Sequence, residues 1–329
     1  PEILKQQVDN FISVAEPSKQ DGELVALICP HAGYQFSGAV AGYAYRNLKD
    51  RFVKTVILIG PSHYYPLKGI SVYKRGFFRT PLGDIEVDKD IAGALIKEDS
   101  EIAFNPMAFD KEHSLEVQLP FLQRTLKGFK IVPVLVGAPT ENSIRSFIAG
   151  LTEVMRQRKD IIIIASSDLS HYHGYEDAMR MDSRFIEAVQ RLSIEELQLL
   201  LSKAEVEACG AWPVLITMAV ARNLGATEGI LYKYANSGDV TGDRTRVVGY
   251  GAIGLYRTQL SEEDKAILLR IAKETVYSYV RDKKTPSFNI TRKRLLANGA
   301  TFVTIKDRYG NLRGCIGNVL PVMPLYESV

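Results

Sequence analysis

The chain has 329 residues, of which 46% are hydrophobic and 24% are charged, and its formal net charge is +3. Its length suggests about two domains, and its composition is that of an ordinary globular protein. No apolar run is long enough to cross a membrane, the N-terminus has no signal-peptide pattern, and no Lys/Arg-dense tract points to nucleic acid. Three widely spaced cysteines argue against a disulfide framework or a cysteine-rich zinc site. We therefore expect a cytoplasmic protein that binds neither nucleic acid nor membranes.

Short β-branched runs alternate with amphipathic stretches through about the first 225 residues. The predicted strands here are residues 24–28, 55–59, 131–136 and 161–165. The predicted helices are residues 37–47, 88–97, 113–126, 141–157, 175–192, 194–203 and 212–223. Two further strands, 229–234 and 247–255, complete the region. Nearly continuous apolar runs are typical of strands buried on both faces, so we predict an α/β, three-layer-type sandwich around a central mixed sheet.

A second unit is predicted to begin near Leu260, after the short link 257–259. Ser261 and Asp264 have the spacing of a capping box and precede a predicted helix at 265–280. A strand at 301–306 and a turn at 307–311 follow. These boundaries give domains of residues 1–256 and 260–329.

Three histidines follow three of the predicted strands. His31 comes after strand 24–28, His63 after strand 55–59 and His171 after strand 161–165. Ligands of open α/β sheets bind at the carboxyl ends of the strands. Any one of these rings alone is better explained as a hydrogen-bonded turn residue, but three in equivalent positions favour a site. Converging imidazoles suit Fe, Cu, Zn or Ni.

Two acidic residues accompany the histidines. Asp168 precedes His171 by three residues, so it can orient that ring or act as a separate acid or base. Glu116 follows His113 by three residues and can share a helix face with it. The alternative for Glu116 is an acidic residue that stabilises the first turn of a helix.

The turn-rich segment 236–243 offers two more carboxylates, Asp239 and Asp243. The segment is either a surface loop with Asx turns or the source of a carboxylate, Asp239, that completes a two-His-one-carboxylate metal site. Cys29 and Cys209 are interpreted as buried small hydrophobic residues.

Four motifs occur in one order along the chain. They are Pro30-His-Ala-Gly-Tyr34 with Ser37-Gly38, Gly60-Pro-Ser-His63, Glu112-His-Ser-Leu-Glu116 and Ser166-Ser-Asp-Leu-Ser-His171. Together they resemble the Memo family over roughly residues 1–256. The resemblance implies the LigB-like fold of class III extradiol dioxygenases. It also implies a pocket in which His31 and His63 hold a metal and His113, Asp168 and His171 line the walls.

Residues 260–329 resemble the start of the AMMECR family. The resemblance depends on Leu312-Arg-Gly-Cys-Ile-Gly317, Pro321 and Pro324-Leu325, and it implies a partial α+β domain. A Memo-like region joined to an AMMECR-like region resembles the AmmeMemoRadiSam systems. That resemblance implies a radical-SAM protein as partner.

The leading hypothesis is a metal-dependent redox enzyme that acts on a small substrate. His31 and His63 would hold Fe(II) or Cu, with Zn as a further candidate, and Asp239 would be the third ligand. His171, oriented by Asp168, would act as acid or base. The remaining pair, His113 and Glu116, would contact the substrate. The alternative is a non-catalytic module that holds a peptide or small ligand in the same pocket, and metal content discriminates between the two.

Overall fold

The computed structural model describes residues 1–18, 22–96, 101–257, 260–296, 298–319 and 322–329. It divides into two compact units, Pro1–Arg257 and Thr258–Val329. Several sequence expectations fall outside the described residues: the end of the predicted helix at Lys97, the link residues 258 and 259, and the motif residue Pro321.

The first unit alternates strands and helices. Its strands are β1 (Glu23–Cys29), β2 (Thr55–Pro61), β3 (Ile70–Val72), β4 (Phe77–Thr80), β5 (Gly83–Glu86), β6 (Ile102–Ala103), β7 (Lys130–Val136), β8 (Ile161–Ser166), β9 (His171–His173), β10 (Glu228–Asn236) and β11 (Val247–Arg257). Its α-helices are α1 (Glu2–Val14), α2 (Ala39–Arg46), α3 (Lys89–Leu95), α4 (Leu119–Thr125), α5 (Glu141–Gln157), α6 (Tyr175–Gln190), α7 (Ile194–Ser202), α8 (Ala211–Asn223) and α9 (Ser237–Thr241).

Nine strands of the described chain form one mixed sheet. Eight of them lie in the order β10-β11-β1-β8-β2-β7-β3-β6, and β9 pairs with β11. The central strands β1, β8, β2 and β7 are parallel, whereas β11 is antiparallel to β1 and β3 is antiparallel to β7. The predicted α/β fold with a central mixed sheet is confirmed.

The sheet is covered by apolar packing on both faces. Alternate residues of β2 belong to different hydrophobic clusters, with Ile57 in one and Val56 in the other. Phe147 of α5 packs in the first cluster, and Tyr45 of α2 packs in the second. Because successive side chains of a strand point to opposite faces, a strand between two layers must be apolar throughout. This explains the continuous apolar runs in the sequence.

Two predicted helices differ from those observed. The helix expected at 37–47 begins as a π-helical turn, Tyr34–Gly38, before α2. The helix expected at 113–126 is shorter, because a 3₁₀ turn at Glu116–Gln118 precedes α4. Pro120 lies in the first turn of α4, where its missing N–H costs no hydrogen bond. The segment that carries His113 is therefore a turn rather than a helix face.

The second unit contains one long helix and short antiparallel strand pairs. Its elements are α10 (Glu262–Asp282), α11 (Lys293–Leu296), β12 (Asn298–Gly299), β13 (Phe302–Lys306), β14 (Leu312–Gly317) and β15 (Met323–Pro324). The predicted capping box of Ser261 and Asp264 is present with both of its hydrogen bonds, and β13 pairs with β14. Among the described residues, no helix combines the length and apolar character needed to span a membrane.

Candidate metal centre

Three histidines meet at the carboxyl ends of the central strands. Strands β1 and β2 both flank β8, so the loops that follow them bring His31 and His63 to one place. One nitrogen from each of His31, His63 and His113 lies within 4.8 Å of the others. The ring centroids are 5.2 Å apart for His31 and His63, 5.2 Å for His63 and His113, and 5.8 Å for His31 and His113. These three rings could hold a metal ion.

The hydrogen bonds of Ser166 determine which nitrogen of His31 is free. The Ser166 hydroxyl donates to the carbonyl oxygen of Ser114 at 2.6 Å and accepts from Nε2 of Gln118 at 2.8 Å. Nδ1 of His31, at 3.0 Å, must therefore donate to the same oxygen, which leaves the lone pair on Nε2. Burial, together with the neighbouring His63 and His113, lowers the pKa of His31 to about 3. The ring is neutral at pH 7, the form that binds metals.

Glu112 holds the second histidine. Its carboxylate accepts from Nδ1 of His63 at 2.9 Å and from the backbone N–H groups of His63 and Ser114 at 2.6 and 2.9 Å. Burial raises the pKa of Glu112, but these hydrogen bonds outweigh it and bring the pKa to about 2. The ionised carboxylate thus keeps the proton on Nδ1 and leaves Nε2 of His63 free. Sequence reasoning did not select Glu112, although it lies directly before His113.

Cys209 also reaches the cluster. Its Sγ lies 3.1 Å from Nε2 of His31 and accepts from the N–H of Asp168 at 3.2 Å. Burial and the nearby Asp168 raise the pKa of Cys209 to about 12, so the thiol is neutral and its S–H can donate to Nε2 of His31. The interpretation of Cys209 as a plain buried hydrophobic residue is therefore wrong.

Asp168 and His171 both lie beside the cluster, but the Asp168 carboxylate does not bond to the His171 ring as expected. Asp168 Oδ1 accepts from the N–H of His31 at 2.7 Å and from the N–H of Ala32 at 3.3 Å. Burial raises the pKa of Asp168 to about 7 despite these bonds. His171 instead donates from Nδ1 to the carbonyl oxygen of Leu169 at 2.8 Å. Asp168 therefore positions the backbone at His31 and Ala32. The prediction that Asp168 orients the His171 ring is wrong, because the carbonyl of Leu169 holds that ring.

The structure does not bring Asp239 into the histidine group. Asp239 belongs to α9, where Oδ2 accepts from the N–H of Asn236 at 2.9 Å as part of a capping box. Its Oδ1 accepts from the Tyr175 hydroxyl at 2.7 Å. Both oxygens are thus engaged locally, and His113 is the third residue within ligand distance. Glu116 is exposed at the start of the 3₁₀ turn, so it does not share a helix face with His113.

Comparison with known proteins gives two family matches. The family described as Memo-like protein matches residues 1–254, and the family described as AMMECR1 matches residues 269–329. A MEMO1 family protein of Methanopyrus kandleri is 36% identical over 242 residues, which cover 72% of this chain and 86% of the relative. A MEMO1 family protein of Desulfurococcus amylolyticus is 38% identical over 236 residues, or 70% of this chain and 83% of the relative. One from Sulfolobus acidocaldarius is 37% identical over 227 residues, or 68% and 80%.

Proposed function

The chain belongs to the Memo family, and from that premise we propose that it is a metal-dependent redox enzyme that acts on a small substrate. The observation that carries the proposal is the group of His31, His63 and His113 at the carboxyl edge of the sheet. The LigB-like fold of the family, with its resemblance to class III extradiol dioxygenases, supports redox chemistry at this edge. We assign the third ligand position to His113 in place of Asp239.

The residues of the cluster fit a transition metal. His31 and His63 each have Nδ1 bound by a neighbouring group, Ser166 or Glu112, and each leaves Nε2 for an ion. This is the usual arrangement around metal-binding histidines. A set of imidazoles suits Fe(II), Cu or Zn rather than Mg or Ca. The neutral Cys209 thiol, whose sulfur contacts Nε2 of His31, would give up that hydrogen bond when an ion binds there. Fe(II) or Cu remains our preferred metal because the proposed reaction is a redox reaction.

Residues around the cluster would supply proton transfer next to the metal. A bound transition metal would supply Lewis acidity and electron exchange. His171 donates from Nδ1 to Leu169, so its Nε2 can accept a proton from a substrate. Asp168, with a pKa of about 7, can hold or release a proton at neutral pH. His31 is buried, so bulk water does not reach its ring.

Metal titration of paired variants tests this assignment. The wild-type chain, purified without oxygen, should contain a transition metal. His113→Ala should lower metal affinity by at least about tenfold, the scale of disturbing a metal ligand shell. Asp239→Ala should leave it unchanged because its carboxylate caps α9. A wild-type chain that binds no transition metal would overturn the enzyme proposal and favour a module that holds a peptide or small ligand.

The occurrence of both family matches in one chain supports a place in an AmmeMemoRadiSam-type system. The partner in that proposal is a radical-SAM protein. A binding assay between this chain and such a protein tests it, and absence of binding at micromolar concentrations would count against the partnership.

A further inference from the structure

A pocket of about 300 Å³ lies against the histidine cluster within the first unit. Two of its lining residues connect it to the cluster. Cys209 has its sulfur 3.1 Å from Nε2 of His31, and Ser62 directly precedes His63 in the chain. None of the three rings lines the pocket, but a molecule in it would contact Cys209 and so lie one side chain away from His31. We call this space the Trp212 pocket, after the aromatic residue in its wall.

The wall of the Trp212 pocket is mostly apolar, with Ser62, Tyr65 and Cys209 as its polar side chains, and it carries no formal charge. Trp212 and Tyr65 supply aromatic surface, and Pro61, Pro66 and Pro213 supply rigid aliphatic surface. Among the described residues that line it, none is Asp, Glu, Lys, Arg or His. A charged group would lose its hydration there without gaining an opposite charge, and this is costly. An uncharged apolar group has no such hydration energy to lose.

Close backbone packing gives this pocket a fixed shape. The N–H of Ala138 donates to the carbonyl oxygen of Leu67 at 2.9 Å, and the N–H of Gly69 donates to the carbonyl oxygen of Ala138 at 3.2 Å. A Cβ on Gly137 would lie 2.0 Å from the Leu67 oxygen, so only glycine permits this approach. The pocket is formed before any ligand arrives, as is usual for small-molecule sites.

We propose that the Trp212 pocket binds the uncharged apolar part of the substrate, a group about the size of a substituted six-membered ring. A cavity of roughly 150 Å³ accommodates benzene, so a pocket of about 300 Å³ has room for a ring with substituents. The polar, reacting part of the same molecule would then lie at the histidine cluster. The second half of this inference rests on the proposed metal enzyme, whereas binding in the pocket does not.

Trp212 is the only tryptophan in the chain, so its fluorescence reports on this pocket alone. The full chain, stripped of metal, is titrated with benzyl alcohol, benzoate and protonated benzylamine, which share a ring and differ in charge. Benzyl alcohol should give a saturable change, and both charged probes should bind at least about tenfold more weakly because the pocket offers no counter-charge. Equal or tighter binding of either charged probe, or no saturable change with benzyl alcohol, would overturn the inference.

Variants that fill the pocket test whether benzyl alcohol binds inside it. Ala211→Leu and Ala138→Leu, both at lining positions, should each raise the dissociation constant of benzyl alcohol by about tenfold or more, since the added side chain takes the ligand's space. Ala149→Leu, on the exposed face of α5, is the matched control and should leave it unchanged. If both pocket variants bind like the wild type, the pocket is not the binding place.

Metal content measured on the same samples separates the two proposals. Saturable binding of benzyl alcohol by a chain that never takes up metal would overturn the proposed enzyme and leave the pocket standing. Metal binding without saturable binding of benzyl alcohol would overturn the pocket proposal and leave the proposed enzyme standing.

Discussion

Ser166 connects the histidine cluster to the interior of the protein. Its hydroxyl is fully buried and bonds to His31, Gln118 and the Ser114 carbonyl. Gln118 in turn accepts from the Tyr45 hydroxyl at 2.7 Å. Removing one member of a buried polar network leaves its partners unsatisfied, which costs more than the bond itself. The network therefore keeps His31 in one orientation and one tautomer.

Ser166→Ala should lower metal affinity by about 10–100-fold, the usual cost of losing the residue that orients a metal-binding histidine. The variant leaves Nδ1 of His31 without an acceptor, so the ring can rotate or change tautomer. Competition titration against a chelator measures the affinity. Ser167→Ala is the control, because this buried neighbour bonds to Asp168 and Gly210 rather than to His31. Equal losses in the two variants would show that Ser166 has no special role.

Site residues that directly follow a strand could be predicted from the sequence. Contacts between side chains that are far apart in the chain could not. His31 and His63 could be predicted because parallel strands that end in histidine must end at one edge. The contact between Cys209 and His31 joins residues 178 positions apart, and no local pattern marks it. Asp239 was predicted as a metal ligand, but it caps α9. A carboxylate that binds a metal from a loop and one that caps a short helix have the same local sequence pattern, so the two cannot be distinguished from sequence.

At the scale of elements, α1 and α2 pack closely at a glycine. A Cβ on Gly42 would lie 2.3 Å from the carbonyl oxygen of Phe11. Phe11 lies in α1 and Gly42 in α2, so the two helix backbones meet at this point. Any larger residue must separate the helices, which would disturb the cluster around Tyr45 and Phe121.

Gly42→Ala should therefore destabilise the protein by about 1–3 kcal/mol, the range for overpacking a well-packed interior. Gly93→Ala in α3 is the matched control. A Cβ there has no atom within 4 Å, so alanine should be neutral or stabilise by up to about 1 kcal/mol through helix propensity. Urea unfolding of both variants measures the difference. A Gly42→Ala protein as stable as the wild type would contradict the close approach of α1 and α2.

The long buried strands were predicted and the small elements were not. Strands β1, β2, β7 and β8 lie between two layers, so every position between their end residues is apolar and the run is easy to recognise in the sequence. Strands β3 and β6 have three and two residues, too few for any periodicity. The start of α4 was displaced because the turn before it contains the apolar Leu115 and Val117, which continue the helical spacing without forming a helix.

At the scale of the whole molecule, the chain consists of two units with separate cores. The clusters that cover the sheet contain only residues of the first unit, and Leu268, Leu295 and Leu325 form a cluster in the second. All the residues of the histidine site lie in the first unit. The described residues that form the site all lie at or before Arg257.

A fragment of residues 1–257 should fold and bind metal with the same affinity and stoichiometry as the full chain. Its core is complete, and domains with their own core commonly fold alone. Circular dichroism and metal titration of the two proteins compare them directly. A fragment that is folded but binds metal at least about tenfold more weakly would show that the second unit contributes to the site.

The order of strands in the sheet differs from their order of synthesis. Strand β1 leaves the ribosome early, but its two neighbours, β8 and β11, come from residues 161–166 and 247–257. Until β8 emerges, Leu27 and Ile28, which are fully buried in the finished fold, have no strand on either side. Such long-range pairing forms slowly and leaves apolar surface open to aggregation. Aggregation is therefore a greater risk for the nascent chain before β11 has been made than after it.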